Sequence, residues 1–188
     1  MRKLLALAVA VLAGCASAPP EQEYTLSVEA PAQAIAGMPD ASIAVAAARL
    51  GDMYDRPQLV LRASENRVQI LEQQRWAEPL KSGIPRAIAG DLARLLGTTH
   101  TTSYPRGEAE DLGYRVALEV QRFDATLDQG VNVEIAWSVR RLRDGAVKEG
   151  RSAVRESAAS GYEALVAAHS RALAGVSAEI ARAIVSMR

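Results

Sequence analysis

The sequence has few of the residues on which many catalytic sites and stabilising cross-links depend. Its 188 residues include one cysteine, one phenylalanine and two histidines. The single cysteine, Cys15, excludes a disulfide within the chain. Neither charge is in excess, because 22 Lys and Arg are matched by 22 Asp and Glu. Proteins that bind nucleic acids usually present a strongly basic surface. We therefore expect no nucleic-acid partner, and a domain that depends on its hydrophobic core.

Known catalytic motifs are also missing. The sequence contains no GxSxG nucleophile elbow, HExxH zinc motif, phosphate-binding loop or GxGxxG fingerprint. His169 shares a helical apolar stripe with Leu165 and Leu173, which is more typical of a packed histidine than of a catalytic one. His100 lies in a threonine-rich stretch and forms no motif. We predict that the protein is not an enzyme and has no catalytic residue, metal ligand or resident cofactor.

The start of the chain has the features of a secretion signal. Arg2 and Lys3 precede ten apolar residues, 4–13. This run is too short for a membrane-spanning helix, which needs about 20 residues. It ends in Leu-Ala-Gly-Cys at 12–15, which resembles the lipobox of bacterial lipoproteins.

The lipobox resemblance implies that residues 1–14 are a signal peptide and that Cys15 carries diacylglyceryl and acyl (palmitate) lipid. In lipoprotein families an aspartate after the cysteine usually retains the protein on the inner membrane. Here the next residue is Ala16, which implies a lipid anchor in the outer membrane and a domain that faces the periplasm. Residues 15–23 include two consecutive prolines and polar side chains, and we interpret them as a flexible tether.

Residues 24–188 are predicted to form a single α/β domain. Weak alternation indicates strands at 24–28 and 43–47. Apolar runs at 59–61 and 68–71 flank a polar turn at 64–67 and predict a hairpin. Helical spacing then begins at Ile84, with Ser82 as the expected cap and Gly97 as the expected end. We interpret 98–112 as a surface connection with at most a short strand.

The second half of the domain shows the strongest periodicity. Alternating runs at 114–120 and 131–139 surround a turn at 128–130, and an Arg-rich edge strand is expected at 146–156. Ser160 and Glu163 have the spacing of a capping box before a long final helix. This order predicts a mixed, largely antiparallel sheet with two main helices packed on it, in the α/β class, with α+β as the alternative.

Two segments resemble a known family, the ABC-type transport auxiliary lipoproteins. They are Tyr54–Arg62 (YDRPQLVLR) and Arg75–Leu80 (RWAEPL), and the final helix from Leu165 to Ile184 is also similar. The resemblance implies a three-layer α/β domain with a mixed sheet, similar to the N-terminal domain of TolB. It also implies an outer-membrane component of an MCE-type lipid transport system, whose partners are a periplasm-spanning MCE-domain protein and its inner-membrane transporter.

The resulting hypothesis is a docking module on a lipid anchor. Its contacts are expected in the segments of the resemblance and in the turn after the first long strand, because loops on rigid scaffolds often carry recognition. An alternative is a lipoprotein that binds a lipid or glycan in a pocket, and a homo-oligomer is compatible with either. The candidate contact residues are Tyr54, Arg56, Pro57, Gln58, Arg62, Arg75, Trp76, Asp128 and Gly130. Each of them also has an ordinary structural interpretation.

Overall fold

The computed structural model describes residues 20–31, 35, 37–103 and 113–188. Cys15, the signal peptide and most of the tether therefore lie outside the described residues. The helices in the described part are α1, Leu80–Leu96, and α2, Tyr162–Val185. The strands are β1, Gln22–Tyr24; β2, Ile43–Val45; β3, Arg49–Leu50; β4, Gln58–Ser64; β5, Arg67–Trp76; β6, Thr101–Ser103; β7, Tyr114–Thr126; β8, Gly130–Arg141; and β9, Val147–Ser157.

All these strands belong to one mixed sheet that is organised around β7. One edge of β7 pairs antiparallel with β8, which pairs antiparallel with β9. Its other edge is met in parallel by β2, β3 and β4 in turn. The β4–β5 hairpin is antiparallel, and β1 and β6 add short parallel pairings. The long ladders are antiparallel, which confirms the predicted mixed, largely antiparallel sheet.

Both helices pack on the same face of this sheet. In β8 every second residue from Val131 to Val139 is buried beneath the helices, and the residues between them are less buried. Helix α2 lies against β8 and β9, and α1 lies against α2, β2 and β6. The three-layer arrangement implied by the resemblance is therefore not what the described residues form, because the opposite face of the sheet is left without a helix.

An extended segment, residues 25–31, contacts both helices. The backbone N–H groups of Glu29 and Ala30 donate to Asp91 of α1 at 2.9 and 2.8 Å. Ser177 of α2 donates to the other oxygen of the same carboxylate at 3.2 Å. The predicted strand at 24–28 is wrong, because the chain leaves the sheet after Tyr24 and helix side chains satisfy its backbone. The N–H of Ser27 donates to Ser170, and Arg86 and Arg94 donate to the carbonyls of Leu26 and Val28.

The helix ends correct two further expectations. Helix α1 begins at Leu80 after Pro79, so Ser82 lies inside the helix and donates to the Pro79 carbonyl. Helix α2 begins after Gly161, without a side-chain cap, so the expected capping box at Ser160 does not form. The predicted end of α1 is confirmed, because Gly97 takes the left-handed conformation at φ 64°.

One of the expected strands needs a small correction, and two are confirmed. β2 stops at Val45, two residues before the predicted end, and β6 is the short strand expected in the connection after α1. β9 lies at the edge of the sheet, as its Arg-rich sequence predicted. Neither helix in the described ranges is long and apolar enough to cross a membrane.

Candidate functional site

The two segments that carry the family resemblance meet at one corner of the domain. The β4–β5 hairpin brings the start of one strand beside the end of the other, so that Gln58 pairs with Arg75. The N–H of Trp76 donates to the carbonyl of Pro57 at 2.7 Å. Residues that are separated by nearly twenty positions in the sequence therefore form one local structure.

The tether enters the domain at this same corner. Strand β1 adds to the outer edge of β5, where Tyr24 pairs with Trp76. The N–H of Ala77 donates to the Tyr24 carbonyl at 2.8 Å, and Arg75 lies 3.3 Å from the carboxylate of Glu21. Tether and corner are therefore in direct contact.

A groove of about 210 Å³ opens beside this junction; we name it the corner groove. Its lining is Asp55, Arg56, Pro57, Trp76, Ala77, Glu78, Pro79 and Lys81. Within the described ranges Arg86 pairs with Glu78 at 2.5 Å, and Lys81 is 3.9 Å from Asp55. The buried Nε of Arg56 has no hydrogen-bond partner among the described residues. The groove thus combines proline and tryptophan walls with an unused arginine donor.

Next to the corner, on the face without helices, a buried carboxylate joins two candidate residues. Arg62 donates to both oxygens of Asp124, at 2.6 and 3.0 Å, and the Tyr54 hydroxyl donates to one of them at 2.7 Å. Tyr54 and Asp124 are each 6% exposed. This triad fixes the loop that precedes β4 against the middle of the sheet.

The triad shifts the pKa of its members in opposite directions. Burial alone raises the pKa of Asp124, but the hydrogen bonds from Arg62 and Tyr54 outweigh it, so the pKa lies below its usual value. Burial and the neighbouring carboxylate raise the pKa of Tyr54. Asp124 is therefore an anion and Tyr54 a neutral donor at neutral pH.

Sequence reasoning missed Asp124 because a bulge in β7 changes which positions face the helices. The pairing with β8 shifts between Val120 and Arg122. Even-numbered residues are buried before this shift, whereas Phe123 and Ala125 are buried beneath the helices after it. A single sequence gives no sign of such a bulge, so Asp124 reads as one more polar residue in an alternating strand.

Two further candidates, Arg62 and Gly130, line a second groove of about 340 Å³ together with Asp124 and Arg155. Asp128 is exposed in the turn before it, at φ 58°. Gly130 is buried with φ 143°, and a side chain there would overlap the carbonyl of Glu156. The glycine is therefore required by the turn. Of the nine candidates, Arg56, Pro57 and Trp76 line the corner groove, and Arg62 and Gly130 line the second groove.

Trp76 also belongs to the core. It is 8% exposed and lies 6.1 Å from the ring of Phe123, which stacks on His169 at 4.1 Å. His169 is 2% exposed, which confirms that it is a packed histidine. The cavity that these rings line has room for about 10 Å³, roughly one water molecule. This cavity is too small to hold a lipid.

A family model described as the ABC-type transport auxiliary lipoprotein component matches residues 24–181. The chain belongs to this family. The match covers nearly the whole of the predicted domain, and it confirms the resemblance drawn from the segments at the corner groove. The family is one of transport auxiliary lipoproteins and not of enzymes.

Solved structures share the fold of this auxiliary lipoprotein. A crystal structure of an uncharacterized protein aligns with a TM-score of 0.73 and 18% identity, over 88% of this chain and 99% of that one. Protein XCC0632 from Xanthomonas campestris aligns with a TM-score of 0.67 and 18% identity, over 89% and 100% of the two chains. Among functionally curated proteins no match is found.

The buried histidine gives this auxiliary lipoprotein a predictable response to acid. Burial lowers the pKa of His169 to about 4, from an ordinary value of 6.5. The unfolded chain takes up a proton below about pH 6.5, whereas the folded protein resists protonation until about pH 4. Stability is thus fully present above pH 6.5 and declines by about 3 kcal/mol as the pH falls to 4.

Urea unfolding of the wild type and of His169→Gln at pH 7, 5.5 and 4 measures this contribution. The wild type should lose about 3 kcal/mol more than the variant across this range. Comparison of the two proteins is needed because burial raises the pKa of Asp91, which acts on stability in the opposite direction. Equal losses in both proteins would show that His169 does not cause the acid sensitivity.

Proposed function

We propose that this chain is an outer-membrane lipoprotein that serves as the docking component of an MCE-type intermembrane lipid transport system. Family membership makes it an auxiliary lipoprotein of ABC-type transport. The observation that carries the finer proposal is the convergence of both resemblance segments and the tether on the corner groove. A periplasm-spanning MCE-domain partner would end there, close to the membrane that holds the anchor.

The tether sets the distance between this docking surface and the membrane. From Cys15 to the first residue of β1, Gln22, the chain has seven steps. At about 3.3 Å per residue these steps span no more than about 25 Å. A partner seated in the corner groove would therefore be held beside the outer membrane, where lipid must be transferred.

The groove also indicates the chemistry of the docked segment. Pro57, Trp76 and Pro79 give it apolar walls, and the half-buried Arg56 contributes the positive charge of its guanidinium. Glu78 is already paired with Arg86. We therefore expect a partner segment with apolar side chains and one carboxylate or carbonyl oxygen directed at Arg56.

Binding of the lipidated protein in nanodiscs to the MCE-domain protein of the same locus tests the proposal. The wild type should bind, and Arg56→Glu should weaken binding by about tenfold or more, because it replaces the positive charge with a repelling negative one. Arg115→Glu is the matched control, since Arg115 is exposed on the open face away from the groove. Absence of wild-type binding, or equal losses in the two folded variants, would contradict the docking proposal.

A further inference from the structure

The two edges of the sheet are protected very differently. On one side β9 carries three exposed cations, Lys148, Arg151 and Arg155. Charged side chains, and lysine above all, are a common protection of an edge strand against pairing with another chain. On the other side β5 is covered by β1 only at its end, from Gln74 to Trp76. Its earlier residues, 67–73, have no partner on their outer edge within the described part of the chain.

The free part of β5 has exposed apolar side chains. Val68 and Ile70 are 38% and 40% exposed and lie on the same face, because they alternate along the strand. Residues 68–71 pair regularly with β4; the register shifts beyond Leu71 and also between Arg62 and Ser64, opposite Val68 and Arg67. A regular, apolar and unpaired edge is the feature by which sheets accept another strand.

The sequence of this edge is complementary to itself. When two copies of residues 67–71 run antiparallel about Gln69, Val68 of one copy faces Ile70 of the other, and the two Gln69 amides face each other. Arg67 faces Leu71, so no like charges stand opposite. Two copies of β9 aligned about their centre, Ser152, bring Arg151 opposite Ala153 and Gly150 opposite Val154, and so offer no pair of large apolar side chains.

β1 ends where such a partner would begin. Extension of its parallel pairing would carry the chain along β5 past Gln73, but Pro19 and Pro20 precede Glu21 and lack the N–H that a ladder requires. Two consecutive prolines thus oppose continuation of this ladder, and no strand of the described residues pairs with the outer edge of 67–71.

We propose that the free edge of β5, residues 67–71, pairs antiparallel with the same edge of a second copy anchored in the same membrane. A pairing of five residues on each side is small compared with standard interfaces of about 1,200 Å² or more. Confinement of both copies to one membrane raises their effective concentration and compensates for the short contact. This last step depends on the proposed lipid anchor, whereas the pairing geometry does not.

A cysteine cross-link in cells tests the pairing. Cys15 is the only cysteine of the chain, so a variant with Gln69→Cys has one new thiol. Opposite Cα atoms of an antiparallel pair lie about 4.5–5.5 Å apart, within disulfide range. Gln69→Cys should give a disulfide-linked dimer in the membrane fraction. Ala153→Cys, which is equally exposed on β9, should give none.

Two additional substitutions, each combined with Gln69→Cys, test whether the contact is specific. Ile70→Lys, added to Gln69→Cys, places a charge opposite Val68 and should reduce the cross-linked fraction at least about fivefold. Val147→Lys, the same kind of change on β9, should leave it unaltered; Val147 is 47% exposed. All four positions are exposed, so thermal unfolding of the variants should match that of the wild type.

Three outcomes of the cross-linking experiment would contradict the pairing of the two β5 edges. Absence of the Gln69→Cys dimer, an adduct with a different protein instead, or a cross-link that survives Ile70→Lys would overturn the pairing. Membrane fractionation of the same cells reports anchoring separately. Failure of the anchor is therefore seen as protein in the soluble fraction and is distinguished from failure of the pairing.

Discussion

Replacement of Asp124 by alanine is expected to destabilise the folded domain by about 2–4 kcal/mol. The side chain of Asp124 is 7% exposed and that of its partner Arg62 is 27% exposed. The substitution leaves a partly buried guanidinium without its two acceptors and the Tyr54 hydroxyl without its only side-chain acceptor in the described structure. A single buried hydroxyl without a partner costs about 1–3 kcal/mol. Access of water to Arg62 keeps the total below the values for fully buried ion pairs.

Two further variants separate charge from packing. Asp124→Asn keeps the size of the side chain and one acceptor oxygen, so it should cost about half as much as alanine. Glu134→Ala removes a second carboxylate from the same face, but this one pairs with the exposed Arg122 and Arg151, and its loss should cost about 1 kcal/mol or less. Urea unfolding at pH 7 measures all three. A loss below about 1 kcal/mol for Asp124→Ala, similar to that of Glu134→Ala, would show that the triad does not stabilise the loop before β4.

The triad also illustrates what a single sequence conceals. Alternation correctly predicted β7 and β8, since each long strand buries one face beneath the helices. It did not reveal the bulge after Val120 that determines which face Asp124 occupies. Bulges depend on the partner strand and have no local pattern. The loop containing Tyr54 was therefore predicted as a contact region, and its attachment to the sheet through Asp124 was not.

Parts of the fold that depend on distant residues were predicted least well. The β4–β5 hairpin followed from two apolar runs and a polar turn, which are local signals. The parallel pairing of β1 with β5 covers only three residues, and it joins segments about fifty positions apart. The course of 25–31 depends on the buried Asp91, whose role no local pattern indicates. For this reason the sequence predicted the β4–β5 hairpin but not that the tether enters beside it.

The candidate contact residues also divide into those that local sequence places together and those that only the fold brings together. Adjacency in the sequence placed Arg56, Pro57 and Gln58 together, and the hairpin added Arg75 and Trp76. Burial then separates their roles: Trp76 packs against the rings of the core, whereas the donor of Arg56 remains unused. Burial cannot be read from residue type for arginine or tryptophan, because both have an apolar body and a polar end. The charge-reversal variant proposed above therefore changes Arg56, and Trp76 is left in place.

The anchor leads to the largest expected loss of function. Cys15→Ala removes the proposed site of lipid attachment. One acyl chain alone would already bind a membrane only weakly, so we expect a chain without lipid not to be retained. The domain begins several residues later, at β1, and should fold unchanged. We expect the protein to move from the membrane pellet to the soluble fraction, with an unaltered urea midpoint and with loss of complementation at native expression.

Mislocalisation acts on docking through concentration and not through any contact. The tether sets the effective concentration at which an anchored corner groove would meet a partner that ends at the outer membrane. For short flexible linkers this effective concentration is in the millimolar range. A freed domain is diluted through the periplasm and loses this advantage, so strong overexpression should restore part of the function. Ala16→Ser is the control, because it changes the neighbouring residue and keeps Cys15. If Cys15→Ala complemented fully at native expression, the groove could not depend on its position at the membrane, and the docking proposal would lose its central premise.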